Sequence, residues 1–175
     1  MEYPKRFRFQ TSVSVTSGAP PEVVYDVVAD LRTHLEWAGE QAPSDTFKLL
    51  SLDGAEGPVA VGMAFDSTGA NDNGTFHDRS IVTETSRPTR FAFETDARLE
   101  RKHGRPWEVH FSHRYDITPE GDGARIVYTD TISELNYVPY WLQAWMRPVT
   151  RRLIRSADTK QMQNLARYAE RRARG

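Results

Sequence analysis

The sequence predicts an α+β domain in which a long C-terminal helix covers one face of an antiparallel sheet. Three observations support this prediction. A first strand-like run of alternating apolar and polar residues changes abruptly to helical spacing at GAPPEVVYDVVADLRTHLEW, residues 18–37. Six further strand-like segments then follow in succession, separated by loops rich in Gly, Pro, Asp and Asn. Residues 136–175 return to helical spacing, with apolar side chains near one face and arginines on the other.

The first strand is predicted over residues 6–16, whose alternate apolar positions are Phe7, Phe9, Val13 and Val15. The chain then turns at residues 17–21, where two prolines favour the fixed φ of a first helical turn. Glu22 follows at the positive end of the predicted helix. A stripe of valines continues this helix to Leu31, and a second short helix is predicted over residues 31–37.

The later strands are predicted over residues 46–52, 59–67, 75–85, 89–99, 107–118 and 123–132. Because short loops join them, they predict an antiparallel meander, and its one apolar face needs a cover. The C-terminal helix is the obvious candidate, and Pro139 and Pro148 are predicted to divide it into a short aromatic helix and a longer terminal one. Its apolar face is predicted to carry Met146, Val149, Leu153, Ala157, Met162, Leu165 and Ala169.

Composition excludes several classes of function. The chain has no cysteine, which rules out disulfides, thiolate metal sites and thiol nucleophiles. It also has no apolar run approaching the roughly 20 residues that span a bilayer, and no signal-peptide pattern at its N-terminus. We therefore expect a single domain over residues 1–175, located in the cytoplasm.

The last hairpin gives the sharpest prediction of neighbouring side chains. On the sixth strand, the residues in the apolar phase are Trp107, Val109, Phe111, His113, Tyr115 and Ile117. If residues 120–123 form a four-residue loop, apolar faces apolar, aromatic faces aromatic and histidine faces aspartate in the next strand. The predicted pairs are Ile117 with Ile126, Tyr115 with Tyr128, His113 with Asp130 and Phe111 with Ile132. A slip of one residue would place each set on the wrong face, so this agreement supports the register.

The same rule assigns the inner faces of the other strands. Asp78 is expected to point inward, two strands from the His113 strand and so about 10 Å away. The other inward positions are predicted to be Phe9 and Thr11 on the first strand, Val61, Met63 and Phe65 on the third, Phe76, Ser80 and Val82 on the fourth, and Phe91, Phe93 and Thr95 on the fifth.

Four segments in this order resemble a known family: PPEVVYDVVADLRTHLEW after the first strand, VGMAF in the third, TETSRPTRFAF across the fourth and fifth, and GDGARIVYTDTI in the last. The chain resembles the START-like or SRPBCC superfamily over residues 6–172, and its polyketide cyclase/dehydrase and lipid-transport group in particular. The resemblance implies a helix-grip fold, in which a curved seven-stranded sheet and a long helix enclose a cavity for an apolar or amphipathic ligand. It also implies that the loop over residues 67–74 gates the cavity, although an ordinary polar hairpin loop fits equally well.

The residues expected to line such a cavity are Trp37, Met63, Phe65, Phe76, Asp78, Phe93, Phe111, His113, Tyr115, Tyr128, Asp130 and Trp141. Among them, His113 beside Asp130 could act as an oriented acid or base, with Tyr115 or Tyr128 positioning an oxygen. The alternative is that His113 and Asp130 only satisfy each other at a polar cavity wall. The histidines lack ligand spacing, and phosphate-loop and dinucleotide patterns are missing, so we expect no metal and no cofactor.

The C-terminal segment is both basic and aromatic. Residues 147–175 carry 9 Lys or Arg against 2 Asp or Glu, whereas the rest of the chain carries 14 against 22. In one interpretation the preceding aromatic residues cover the cavity and the arginines pair with the acidic sheet. In the other, this stretch lies at an anionic membrane interface. The residues concerned are Tyr140, Trp141, Leu142, Trp145, Arg151, Arg152 and Arg155.

Three functions follow from these observations. The first is binding, sequestration or transfer of a lipid, quinone or polyketide-like molecule. The second is a cyclase- or dehydratase-like enzyme that uses His113 with Asp130 as acid and base. The third is an adaptor that docks on a membrane or a protein through the C-terminal helix. We expect a monomer or homodimer, and no nucleic-acid partner because the remaining surface is acidic and no stacking motif is present.

Overall fold

The structure, a computed structural model, describes residues 8–38, 48–54, 57–133 and 140–175, with only the backbone for Arg8, residues 140–147 and Thr150. Its strands are β1 (Arg8–Ser17), β2 (Lys48–Asp53), β3 (Ala64–Asn71), β4 (Gly74–Ser86), β5 (Arg90–Arg101), β6 (Trp107–Glu120) and β7 (Gly123–Ser133). Its α-helices are α1 (Pro21–Ala29), α2 (His34–Ala38) and α3 (Tyr140–Arg174), and a short 3₁₀ turn, Leu31–Thr33, precedes α2.

The seven strands form one antiparallel sheet in the order β1-β7-β6-β5-β4-β3-β2. Consecutive strands from β2 to β7 are neighbours, and β1 closes the row beside β7. Register shifts at residues 49–51 of β2 and 82–84 of β4 mark irregularities that bend the sheet. This curved sheet, with two short helices after the first strand and a long C-terminal helix, confirms the predicted α+β class and helix-grip layout.

The predicted register of the last hairpin is confirmed. Ile117 lies opposite Ile126, Tyr115 opposite Tyr128, His113 opposite Asp130 and Phe111 opposite Ile132. The turn itself is tighter than the predicted four-residue loop, because Glu120 also pairs with Gly123 and only residues 121–122 remain outside the ladder. Gly121 adopts a φ of +59°, which favours glycine, and a Cβ atom on Gly123 would collide with the backbone carbonyl oxygen of Ser17.

The third strand differs from its prediction. It begins at Ala64 rather than residue 59, and Val61 is 62% exposed instead of lining the inner face. At its other end β3 extends to Asn71, whose side-chain oxygen accepts hydrogen bonds from the backbone N–H groups of Asn73 (2.8 Å) and Gly74 (3.2 Å). That side-chain turn joins β3 directly to β4. The predicted entrance loop over residues 67–74 is therefore a strand and a tight turn.

The core lies between the sheet and the helices α1, α2 and the C-terminal half of α3. Three hydrogen bonds fix the direction of α3: Thr11 donates to Asp158 (3.0 Å), Ser17 donates to the carbonyl of Ala166 (3.2 Å), and the Gly18 N–H donates to Glu170 (2.8 Å). Because the residue numbers increase together on both elements, α3 runs parallel to β1. The helix thus covers the β1 side of the sheet.

Two predictions about the C-terminal helix are wrong. The helix continues through Pro148. Proline cannot donate one backbone hydrogen bond, and the loss of that single bond is not enough to end the helix. In addition, Val149 and Leu153 are 63% and 64% exposed rather than part of the buried face. At about 100° per residue they point roughly 180° and 140° away from Asp158, which shares the buried face with Met162. Among the described residues no helix is both long and apolar enough to cross a membrane.

Ion pairs on the outer face of the sheet join strand residues to one another. Examples are Arg79 with Asp66 (3.2 Å), Arg90 with Asp116 (2.5 Å) and Arg125 with Glu120 (2.6 Å). Within the described residues these pairs join arginines of the sheet to carboxylates of the sheet, and pairing of the helix arginines with the acidic sheet stays a prediction. The α3 arginines at 151, 152 and 155 are exposed.

Candidate functional site

The concave face of the sheet changes from a closed core to a partly open surface along β6. Ile117 is fully buried and Tyr115 is 3% exposed, whereas the His113 side chain is 18% exposed. The next two inward residues, Phe111 and Val109, are only half-buried. Inward side chains toward the N-terminal end of β6 are thus accessible to a ligand.

The fourth strand shows the same change in the same direction. Val82 and Ser80 are each 1% exposed, and the following inward residues, Asp78 and Phe76, are half-buried. β5 lies between β4 and β6, and its inward residues at this level, Ala97 and Leu99, are 4% and 2% exposed, so the half-buried positions lie on either side of a buried strip of the same concave face. We name this area, with the inward residues of β5, β6 and β7 beside it, the concave site.

Aromatic rings form the wall of the concave site. Phe93 is central, since its ring centroid lies 4.7 Å from that of His113, 5.5 Å from Phe65 and 5.9 Å from Phe91. The imidazole of His113 also stacks on Phe111, with centroids 5.6 Å apart and planes 18° apart. Such a wall favours an apolar or aromatic ligand.

His113 places a polar group inside this aromatic wall. Its Nδ1 lies 2.7 Å from the hydroxyl of Tyr128 and 3.5 Å from Asp130 Oδ1. Burial lowers the pKa of His113 to about 3, and repulsion from His110 and His34 adds to this shift. Burial likewise raises the pKa of Tyr128 well above its usual value, so the tyrosine keeps its proton and its hydroxyl can donate to Nδ1. In the tautomer in which Tyr128 donates, the ring proton lies on Nε2, which has no hydrogen-bond partner among the described residues.

Asp130 is buried behind His113, with 6% of its surface exposed. Its Oδ1 makes no hydrogen bond within the described part of the chain. Burial raises the pKa of this carboxyl well above its ordinary value, and the nearby charge of Asp158 raises it further, while a hydrogen bond from the backbone N–H of Thr131 opposes both effects. Asp130 is therefore a weak acid that tends to hold its proton.

Asp158 is a site residue that the sequence did not reveal. It reaches the sheet from α3, is 8% exposed, and accepts the hydrogen bond from Thr11, which lies opposite Asp130 in the β1–β7 register. Burial raises its pKa to about 6. A signal was available in its spacing, since it precedes the apolar residues Met162 and Leu165 by four and seven positions on a helix.

The remaining predicted site residues are placed as follows. Trp37 is 2% exposed, and its indole N–H donates to the Thr33 hydroxyl (3.3 Å), so it belongs to the packed core beside the site. Phe65 is buried and Met63 half-buried, as expected for inward positions. The side chain of Trp141 lies outside the described residues. Asp78 lies two strands from β6 as predicted, but opposite the level of Val109, four residues along from His113.

The site places uncharged hydrogen-bonding groups within an apolar surface. A neutral His113 can donate through Nε2 to a ligand oxygen, while Tyr128 fixes the ring orientation. A conjugate acid with a pKa of about 3 is a weak base at neutral pH, which favours binding over proton abstraction. In the described part of the chain, no three His, Asp or Glu side chains are grouped so as to hold a metal ion.

A curved antiparallel sheet with α3 along one side and an aromatic concave site defines a helix-grip domain. The chain belongs to the family described as "Polyketide cyclase / dehydrase and lipid transport", whose sequence profile matches residues 8–170. This match confirms the START-like, SRPBCC-type resemblance. No curated protein matches the chain in sequence.

Solved structures share this fold at low sequence identity. Mll3558 from Rhizobium loti is 17% identical, with a TM-score of 0.58 and coverage of 89% of this chain and 99% of that one. Ara h 8.0201 is 13% identical, with a TM-score of 0.63 and coverage of 93% and 98%. DynU16, a protein of the dynemicin biosynthetic locus, is 17% identical with a TM-score of 0.55, and the match covers 92% of this chain and 47% of DynU16. At these identities the similarity shows the fold alone.

Proposed function

We propose that the protein binds an apolar or amphipathic small molecule on the concave site and sequesters or transfers it. The observation that carries this proposal is the change, along both β4 and β6, from fully buried to half-buried inward residues on an aromatic wall. The family description, which joins polyketide cyclases and dehydrases with lipid transport, supports the same ligand class: a lipid, a quinone or a polyketide-like compound.

His113 supplies the orienting contact in this proposal. Its Nε2–H can donate to a carbonyl or hydroxyl of the ligand while Phe93 and Phe111 contact the apolar body. Since Tyr128 holds Nδ1 at 2.7 Å, the ring is fixed before a ligand arrives, which reduces the entropy lost on binding.

The test uses the fluorescent apolar probe N-phenyl-1-naphthylamine with a matched pair of tryptophan variants. Val109→Trp fills the concave site from a half-buried inward position, and His77→Trp adds the same ring to an exposed outward position on β4. We expect the wild type and His77→Trp to bind the probe alike, and Val109→Trp to bind at least about tenfold more weakly. Equal binding by the two variants, or no binding by the wild type, would contradict the proposal. Native mass spectrometry of protein from its own source would identify a co-purified ligand.

A second candidate function is a cyclase- or dehydratase-like enzyme, which the contact between His113 and Asp130 favours. His113 would exchange a proton with the substrate, Asp130 would orient the ring, and the buried Tyr115 hydroxyl would position an oxygen. The low pKa of His113 makes this the weaker candidate. An enzyme predicts that His113→Gln keeps probe binding and loses turnover of a polyketide-like substrate; a carrier predicts that no turnover is present to lose.

Transfer of a lipid also needs contact with a membrane, and the exposed part of α3 supports that role. Val149 and Leu153 are 63% and 64% exposed and lie one helical turn apart. Arg151, Arg152 and Arg155 are exposed around them. Exposed apolar side chains among arginines suit the surface of an anionic bilayer.

A further inference from the structure

Asp78 is a carboxyl group on the concave face that has no hydrogen-bond donor for its Oδ1 among the described residues. It lies in the inward phase of β4, and its Oδ1 is buried without a hydrogen bond within the described part of the chain. Burial raises its pKa to about 7, and among the described residues no charge or hydrogen bond opposes this shift. A carboxyl in such a position destabilises the free protein, because burial removes water without offering a donor in exchange.

The neighbours of Asp78 in the sheet donate no hydrogen bond to its Oδ1. Opposite it lie Ser67 on β3 and Ala97 on β5. The next inward position on β4, Ser80, is hydrogen-bonded to Thr95 (2.8 Å), so these two hydroxyls satisfy each other.

The nearest basic residues along the chain also turn away from Asp78. His77 and Arg79 point to the outer face, and Arg79 pairs there with Asp66. Within the described residues, Asp78 therefore has no cation and no donor of its own.

The residues next to this carboxyl on the adjacent strands are small: Ser67 and Gly69 on β3 and Ala97 on β5. Larger rings, including Phe65 and Phe76, stand at neighbouring inward positions. Asp78 is therefore a carboxyl between small side chains and an aromatic wall. It is distinct from the polar group at His113, from which it is separated by two strands, about 10 Å, and by four residues, roughly 13 Å along the strands.

Asp130 provides the contrast. That carboxyl is also buried, but it has His113 at 3.5 Å and the backbone N–H of Thr131 as neighbours, so it is part of a polar network. Asp78 has no such network among the described residues, and a ligand on the concave face can supply the donor. We propose that Asp78 forms a subsite of the concave site that binds a hydrogen-bond donor, a hydroxyl or a protonated amine, at one end of an otherwise apolar ligand. This inference rests on the proposed function, because it assumes a ligand on the concave face.

The experiment compares three probes that share one naphthalene body: ethylnaphthalene, naphthylethanol and naphthylethylamine. Each displaces N-phenyl-1-naphthylamine from the wild type, Asp78→Asn, Asp78→Leu and the control Asp96→Asn. Asp96 lies on the outer face of the neighbouring strand β5, with its side chain 84% exposed, so its substitution makes the same chemical change away from the concave face.

The wild type and Asp96→Asn are expected to bind the alcohol and the amine about tenfold or more tightly than the hydrocarbon. In Asp78→Leu this preference disappears and the hydrocarbon binds at least as tightly as before. Asp78→Asn, which keeps an acceptor oxygen but no charge, retains part of the preference for the alcohol and loses that for the amine. The amine and alcohol arms thereby distinguish a cationic donor from a neutral one.

Two results would overturn the subsite while leaving the proposed function intact: equal binding of all three probes by the wild type, or a donor preference that survives in Asp78→Leu. Failure of the wild type to bind the hydrocarbon, the other probes and the fluorescent reporter would instead reject the proposed function, and the subsite with it. Thermal unfolding verifies that each variant is folded; since both Asp78 substitutions remove an uncompensated carboxyl, neither is expected to lower the melting temperature.

Discussion

The hydroxyl of Thr11 donates a hydrogen bond to Asp158 Oδ2 over 3.0 Å, which joins the gripping helix α3 to the first strand of the sheet. Asp130 lies opposite Thr11 on β7, so two buried carboxyl groups meet at the junction of strand and helix. Burial raises the pKa of both carboxyl groups, and the charge of Asp158 raises the pKa of Asp130 further. This junction makes the stability of the protein sensitive to pH.

Asp158→Asn is expected to stabilise the protein at alkaline pH. The folded-state pKa of Asp158, about 6, lies above its ordinary value of 3.8, so its favourable contribution is complete below pH 3.8 and is lost as pH rises through 6. Asparagine carries no charge and can still accept from Thr11. The expected gain in the free energy of unfolding is roughly 2 kcal/mol at pH 8 and close to zero at pH 4, measured by urea denaturation.

The control for this prediction is Thr11→Val, which removes the donor and keeps the carboxyl. Because the Thr11 hydrogen bond lowers the pKa of Asp158, its loss should destabilise the protein by about 1 kcal/mol, and more at pH 8 than at pH 4. If Asp158→Asn raised the free energy of unfolding equally at both pH values, burial would not be raising the pKa of Asp158.

Two leucines on α3 test which part of the helix is held by the core. Leu165 is fully buried and Leu153 is 64% exposed. Leu165→Ala is expected to lower the free energy of unfolding by about 3 kcal/mol, since it removes buried methyl groups and leaves a cavity. Leu153→Ala should change it by less than about 0.5 kcal/mol. Similar losses in both variants would show that the N-terminal half of α3 is also packed in solution.

The sequence was sufficient for the sheet because period-two patterns and turn length constrain one another. In the last hairpin, only one register matches Ile117 with Ile126 and His113 with Asp130, and that register is the one observed. The inward phases of β4 and β5 followed by the same rule, which is why Asp78 and Phe93 were placed correctly on the concave face.

The helix and the loops carried less information. Val149 and Leu153 were assigned to the buried face because apolar residues usually mark it, yet the buried face is defined by Asp158 and Met162. Asp158 has the helical spacing of that face, but a hydrophobic pattern counts apolar residues only and does not mark a polar residue that is buried through its hydrogen bond with Thr11. Tertiary contact, rather than local preference, decides such positions.

The exposed part of α3 predicts binding to anionic membranes. Val149→Ser/Leu153→Ser should weaken co-sedimentation with vesicles of phosphatidylglycerol and phosphatidylcholine by about tenfold, because two apolar side chains no longer enter the interface. Vesicles of phosphatidylcholine alone should bind the wild type weakly, since they do not attract Arg151 and Arg155. The matched control is Ile81→Ser, which removes an apolar side chain that is 47% exposed on the outer face of β4. Binding that is unchanged in the double variant would exclude this surface.

The final prediction concerns the acid side of the stability profile. The folded-state pKa of His113, about 3, lies below its ordinary value of 6.5, so the contribution of the neutral ring is complete above pH 6.5 and is lost as pH falls through this value toward 3. His34, whose pKa burial lowers to about 4, acts with the same sign.

Glutamine at position 113 has no such proton to exclude, and it can accept a hydrogen bond from Tyr128. Between pH 7 and pH 5 the wild type is therefore expected to lose about 2 kcal/mol more than His113→Gln. Carbon-detected NMR of the imidazole rings provides the direct check, since neither His113 nor His34 should titrate between pH 8 and pH 5. A His113 ring that becomes charged near pH 6 would instead indicate an ion pair with Asp130. That result would favour the acid–base enzyme over the binding protein.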